Sequence, residues 1–253
     1  RTKNIIYKIM VRNMGHFILL SFIVLFSCEN SSGEAASENN EPATNPDWSL
    51  VWADEFETAS LDQNRWNILR WRPGWVNNEL QAYTNRDTNL YLEDGSLVIR
   101  GLIEPGYFDT DYQGNEYSSD YTSGRINTAG KYSTTYGRFD IRAKLPKGRG
   151  SWPAIWMLGE NISSVGWPKC GEIDIMEHVG HDDDGIHGSI HTETFNHALN
   201  TQKSGSTTVP TATDSFHIYS LEWTPNYLRY LVDDESFFFV YNNSGGDISQ
   251  WPF

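Results

Sequence analysis

The sequence predicts an all-β fold, a two-sheet antiparallel β-sandwich of jelly-roll (concanavalin A-like) type. Three observations carry that expectation. Apolar and polar residues alternate with period 2 along much of the chain from Trp48 onward. No stretch shows the 3.6-residue periodicity of a long amphipathic helix, and no internal repeat is visible. The composition, with 14% aromatic residues, 21 Gly and 10 Pro in 253 residues, suits pleated surfaces joined by turns. Many short strands spread over about 200 residues form two sheets whose inner faces make the core and whose outer face can hold an extended ligand.

The elements follow in chain order. Residues 1–28 carry Arg1, Lys3, Lys8 and Arg12 with no acid before the apolar run FILLSFIVLF, then Ser27 and Cys28. This is the layout of a secretory leader, and the run is too short to span a bilayer. Its end, Leu25-Phe26-Ser27-Cys28, resembles a bacterial lipobox, so cleavage before Cys28 and acylation of its thiol are expected. The expected location is therefore extracytoplasmic, with the chain anchored as a lipoprotein of a bacterial cell envelope. Residues 29–46 are polar and aperiodic, too poor in apolar surface to offset their ordering entropy, and read as a flexible tether. Residues 47–253 read as the sandwich domain.

Within that domain, YGRFDIRAKL sets Arg138, Asp140, Arg142 and Lys144 on one face and Phe139, Ile141, Ala143 and Leu145 on the other. HIYSLEW sets His217, Tyr219, Leu221 and Trp223 on one face, and YLRYLVDDESFFFV reads as two strands turning at Asp233 and Asp234. The two cysteines, Cys28 and Cys170, lie far apart in unlike surroundings and suggest no disulfide framework.

The segment Cys170-Gly-Glu-Ile-Asp-Ile-Met-Glu-His178 carries Glu172, Asp174 and Glu177 between apolar residues. On a strand Glu172 and Asp174 share a face, but strict alternation turns Glu177 to the other side. A β-bulge with Met176 as the inserted residue returns Glu177 to the face of Glu172 and Asp174. Crowded carboxyls raise one another's pKa, which suits a reaction needing one ionised and one protonated acid. Glycoside hydrolysis needs that pair, and a separation of about 5 to 5.5 Å is that of a retaining enzyme. A solvated acidic face would explain the acids but not Gly171, Trp167 or the apolar interleaving.

These residues, with WADEF (52–56), NNELQAYT (77–84), YTSGRI (121–126), YGRFDIRAKLPKGRGSWPAIWML (136–158) and HIYSLEW (217–223), resemble glycoside hydrolase family 16. Within that family the likeness is to bacterial endo-β-1,3-glucanases. The resemblance implies that Glu172 is the nucleophile, that Glu177 is the acid and then the base, and that Asp174 steers the protonation of its neighbours. It also implies that Trp152, Trp156 and Trp167 line sugar subsites and that Asn78, Arg125 and His191 hydrogen-bond sugar hydroxyls. Read without the family, each Trp suits core packing equally well, and His191 suits a structural histidine.

No cofactor and no metal are expected. The run His181-Asp-Asp-Asp-Gly185 lacks the later acid of a calcium loop and reads as a turn, although the resemblance allows a structural calcium elsewhere. Relative to the family pattern the domain is expected to lack its last strands after Phe253. A net charge of −14 argues against nucleic acid or an anionic membrane as partner. The expected partner is a neutral polysaccharide met by a monomer, with membrane contact only through the lipid at Cys28. The expected activity is retaining endo-hydrolysis of β-1,3-glucan. The rivals are the same chemistry on mixed-linkage β-1,3-1,4-glucan or a galactan such as agarose, and a glucan-binding module that does not cleave.

Overall fold

In the computed structural model, the described residues are 3–14, for which backbone pairing alone is described, and 48–253. The apolar run 17–26, Cys28 and the tether 29–46 lie outside them. The strands are β1 (Lys3–Met14), β2 (Trp48–Asp54), β3 (Asn67–Ile68), β4 (Ala82–Tyr83), β5 (Leu90–Glu93), β6 (Ser96–Thr110), β7 (Glu116–Ser123) and β8 (Ile126–Asn127). They continue as β9 (Gly137–Lys144), β10 (Ala154–Leu158), β11 (Glu172–Glu177), β12 (Gly185–His191), β13 (Lys203–Thr208), β14 (His217–Trp223), β15 (Tyr227–Val232) and β16 (Glu235–Tyr241). Helix among the described residues is limited to α1 (Ile162–Val165) and one 3₁₀ turn, His197–Leu199.

The larger sheet runs β16-β15-β14-β9-β1-β6-β7-β4, with β2 joined to β1 and β5 to β6; the smaller runs β10-β11-β12-β13, and β3 and β8 form a separate two-stranded pair. The ladder pairs residues 3–14 with β9 on one side and with β6 and then β2 on the other, although their place before an apolar run reads as part of a leader. Ile5, Ile6, Ile9 and Val11 give that stretch a high strand propensity.

The sandwich closes because the apolar faces of the two sheets meet. Phe139, Ile141, Ala143 and Leu145 from β9 and its end pack with Tyr219, Leu221, Leu228 and Tyr230 from β14 and β15. Ile173, Ile175, Met176, Ile186 and Ile190 of the smaller sheet enter the same core. The period-2 pattern therefore reads correctly on β9. On β14 the second face is buried too, because Ser220 and Glu222 are covered by an ion cluster: Arg138 reaches Asp140 at 2.8 Å and Glu222 at 3.1 Å, and also pairs with Asp234. Arg229 lies 3.5 Å from the other oxygen of Glu222. Asp233 and Asp234 both adopt left-handed φ, 51° and 67°, which gives the β15–β16 hairpin the twist of a type I′ turn.

The WADEF segment packs against Trp66. Asp54 accepts from the Trp66 indole at 2.8 Å and from the Phe56 amide at 3.0 Å, and Trp66 meets Trp52 edge-on at 5.5 Å. Asp54 is thus a structural acceptor. Pro252 and Phe253 pack against Gly171, just ahead of β11, and the Trp251 ring meets Phe253 edge-on at 5.3 Å. Gly171 has φ +76°, and a Cβ there would lie 2.7 Å from the Phe253 ring, so glycine is required twice over.

Candidate active site

β11 carries the three acids, and its pairing explains how one strand presents all of them. Against β12, Asp174 pairs with Ser189 but Glu177 with His187. Three steps on β11 therefore match two on β12, and Gly188 faces two residues. Against β10, Asp174 pairs with Trp156 and Met176 with Ile155, which leaves Ile175 as the unpaired residue. The bulge expected from the spacing is present, but against β10 its inserted residue is Ile175 and not Met176, which pairs with Ile155. Both apolar residues point into the core, 3% and 0% exposed, while Glu172 and Glu177 are half-buried. Gly188 is small for a reason: a Cβ would lie 2.8 Å from the Tyr230 ring, and the Tyr230 hydroxyl donates to the Ser189 carbonyl at 3.0 Å.

Each glutamate is held by its own indole. Trp167 Nε1 donates to Glu172 Oε2 at 2.7 Å, and Trp152 Nε1 donates to Glu177 Oε1 at 3.0 Å. Both rings stay open to solvent, 36% and 51% exposed. Asp174, between the glutamates and buried, accepts from Ser189 Oγ at 2.6 Å and lies 3.3 Å from His191 Nε2. His191 Nδ1 has no hydrogen-bond partner among the described residues.

The electrostatics follow from this crowding. Burial, and next the charge of Asp174, push the Glu172 carboxyl up, and a hydrogen bond to Asp174 adds to the rise; His191 and the Trp167 indole oppose it. Burial and Asp174 raise Glu177 as well, against the Trp152 hydrogen bond. Burial opposes a charge on His191, but the hydrogen bond to Asp174 and the negative charges of Asp174, Glu172 and Glu177 outweigh it and raise its pKa. Glu172, Asp174 and His191 bring potential ligand atoms within 4.8 Å of one another. Those atoms already serve one another, with His191 Nε2 and Ser189 both on Asp174 Oδ2.

The other expected binding residues divide into three groups. Trp156 and Arg125 lie beside the acids: Trp156 faces Asp174 across the β10–β11 ladder, and the Arg125 guanidinium sits 4.8 Å from the Trp156 ring and 4.5 Å from that of Trp71. Trp167 and His191 form one aromatic group, 6.0 Å apart, which His197 joins 4.9 Å from Trp167. Asn78 stands exposed on the 71–80 loop at φ 53°, after Asn77 at 50°. Two successive left-handed residues suit Asn, whose side chain tolerates that conformation. No hydrogen bond among the described residues joins Asn78 to the acids. His181 to Asp184 form a turn ahead of β12.

Sequence reasoning missed His197 and Trp71. It also missed the contact set of Tyr83, whose hydroxyl donates to Glu79 at 2.7 Å and whose pKa burial and then Glu79 push up to about 12. The tryptophan pair in Trp71-Arg-Pro-Gly-Trp75 was the available signal for the loop.

A β-sandwich that presents paired carboxyls on the open face of one sheet, each bonded to an exposed indole, defines a glycoside hydrolase. The chain belongs to the glycosyl hydrolases family 16, whose model matches residues 71–253. It is 47% identical over 216 residues to a β-glucanase of Rhodothermus marinus, covering 82% of this chain and 72% of that protein. The solved laminarinase from Rhodothermus marinus superposes with a TM-score of 0.73 at 46% identity, covering 81% of each chain. SCLam, described as a non-specific endo-β-1,3(4)-glucanase, gives a TM-score of 0.76 at 43% identity over 84% of this chain and 79% of its own.

Proposed function

We propose that this chain is a retaining endo-hydrolase of β-1,3-glucan, and that Glu172, Asp174 and Glu177 carry the reaction. The observation that supports this most directly is the bulged β11, which holds both glutamates and the buried Asp174 on one face beside exposed tryptophans. In the first step Glu172, whose carboxyl burial and Asp174 push up to about 8, must first give up its proton and then, as a carboxylate, attacks the anomeric carbon. The glycosidic C–O bond breaks as Glu177 gives its proton to the leaving oxygen. In the second step Glu177, now a carboxylate, takes a proton from water, whose oxygen displaces Glu172 from the same carbon. Asp174 lies between the two glutamates and is itself held by Ser189 Oγ at 2.6 Å and by His191 Nε2 at 3.3 Å, so its charge acts on both from a fixed place. Asp174 is thus a positioning residue. The raised Glu177 is suited to its acid role near neutral pH.

Trp152, Trp156 and Trp167 offer flat apolar faces to pyranose C–H groups, and Asn78, Arg125 and His191 offer polar atoms to hydroxyls. Several of the relatives are named for β-1,3-glucan, which favours that substrate. The likeness to SCLam supports a second reading, mixed-linkage β-1,3-1,4-glucan. We place the protein outside the cytoplasm, tethered by residues 29–46 to a lipid on Cys28; the basic, then apolar, then Cys pattern of residues 1–28 supports this.

Reducing-sugar release from laminarin, mixed-linkage glucan and agarose tests the substrate. Laminarin is expected to be cut best, and Glu172→Gln is expected to lower turnover by more than about a thousandfold while glucan binding persists. Cleavage of agarose alone would overturn the assignment, and turnover retained in the variant would move the nucleophile elsewhere.

A further inference from the structure

β6 and β7 form a long hairpin whose tip, residues 111–115, is tied by Asp111: its Oδ1 accepts from the amides of Gln113 and Asn115, each at 2.9 Å. This tip holds Tyr112 out into solvent, 62% exposed. The Tyr112 ring nevertheless meets Trp75 edge-on at 5.5 Å, and Trp75 lies 6.0 Å from Trp71 with the rings tilted by 34°. From Trp71 the Arg125 guanidinium leads at 4.5 Å and then 4.8 Å to Trp156, opposite Asp174. Four separate segments, the 71–80 loop, the hairpin tip, the stretch before β8, and β10, thus converge on one row of flat groups that ends at the acids.

The row is not a closed core. Tyr112 is mostly exposed, Trp71 and Trp75 are half-buried, and none of the three belongs to the buried cluster of the sandwich. Large rings left in line at a surface mark a binding face. Their flat faces match pyranose C–H surfaces, as do those nearer the acids.

We infer that Trp75 and Tyr112 form an outer sugar-binding shelf for the same polysaccharide, several sugar residues along the chain from the bond that is cut. The inference rests on the reading of the site as a β-glucan hydrolase. It extends that site beyond Arg125 and makes the hairpin tip a determinant of chain-length preference. Arg72, whose guanidinium lies 5.5 Å from the Trp75 ring, supplies donors for hydroxyls at the same place.

The test is steady-state kinetics of the full chain, of Tyr112→Ser and of Trp75→Ala, on β-1,3-gluco-oligosaccharides from trimer to heptamer and on laminarin. In the wild type kcat/KM is expected to climb with chain length. In each variant the ratio of heptamer to trimer kcat/KM is expected to fall about fivefold, equivalent to ~1 kcal/mol, with the loss in KM and not kcat. Tyr112→Ser alters an exposed side chain, so an unchanged thermal midpoint keeps the result readable if Trp75→Ala folds poorly. A wild type that cuts laminarin beside variants with its own chain-length dependence would overturn the shelf alone. Equal losses on trimer and heptamer would overturn it as well. A wild type that cuts no β-glucan would overturn the functional reading beneath it.

Discussion

Glu172 carries the clearest conflict between stability and chemistry. Burial, then Asp174, push its carboxyl from 4.5 up to about 8. Its folded value thus exceeds its unfolded one, so the folded state binds the proton more tightly. Stability from this group is fully present below the unfolded value and is lost as pH rises through the folded one. His191, raised by the same acids, acts in the same direction. Glutamine cannot ionise, so Glu172→Gln is expected to match the wild type near pH 4 and to unfold at a higher temperature near pH 8. The gain is about 2–4 °C for each ~1 kcal/mol of charge burial relieved. Calorimetry at both pH values checks this, and a gap that did not widen with pH would show that burial of Glu172 is not the cause. The position of the acids was legible because their spacing breaks strand alternation. Their indole partners were not, since a tryptophan that stacks on sugar and one that bonds a carboxylate look alike in sequence.

At the scale of the element, β9 shows where pattern reading stops. Its apolar face followed from period 2, but the burial of Asp140 did not, because the cover comes from β14, β15 and the distant Asp234. Arg138 is only 15% exposed and is shared among three carboxylates. Burial opposes its charge, and the bonds to Asp234 and Asp140 hold its pKa up. Arg138→Met is expected to lower stability by about 3 kcal/mol, since it strips compensation from Asp140 and Glu222 while both stay buried. Urea unfolding would measure it, and a loss under ~1 kcal/mol would class the cluster with ordinary surface pairs. The β15–β16 hairpin, by contrast, was legible from Asp233 and Asp234 alone, because a two-residue turn needs residues that accept left-handed φ.

At the scale of the whole molecule, composition excluded more than it assigned. A charge of −14 on 253 residues repels polyanions, whereas an uncharged glucan meets no such barrier. Laminarin hydrolysis is therefore expected to change less than about twofold between low and roughly 0.5 M salt, where fields beyond a few ångströms are screened. A steep salt dependence of kcat/KM would point to a charged substrate. The sandwich itself was legible because strand alternation is local. Which strands neighbour one another was legible only in part: the smaller sheet joins β10 to β13 in chain order, whereas the larger sheet sets β14 beside β9 through a crossover that carries no periodic signal. The Trp75–Tyr112 contact is of the same kind, as it depends on how far one hairpin outgrows its sheet.

The bulge at Ile175 and Met176 has a consequence best put as parity. Removing one of those two residues would leave Glu, Ile, Asp, one apolar residue and Glu, a run in which odd positions all face one way. Both glutamates would still look out of the sheet. The extra residue therefore does not decide whether the second glutamate is on the open face; it decides where on that face its carboxyl is aimed, since a bulge bends the strand and tightens its twist. Two strands of opposite parity can thus serve one chemistry, and the distance from the second acid to Trp152 is a variable that a single codon can reset.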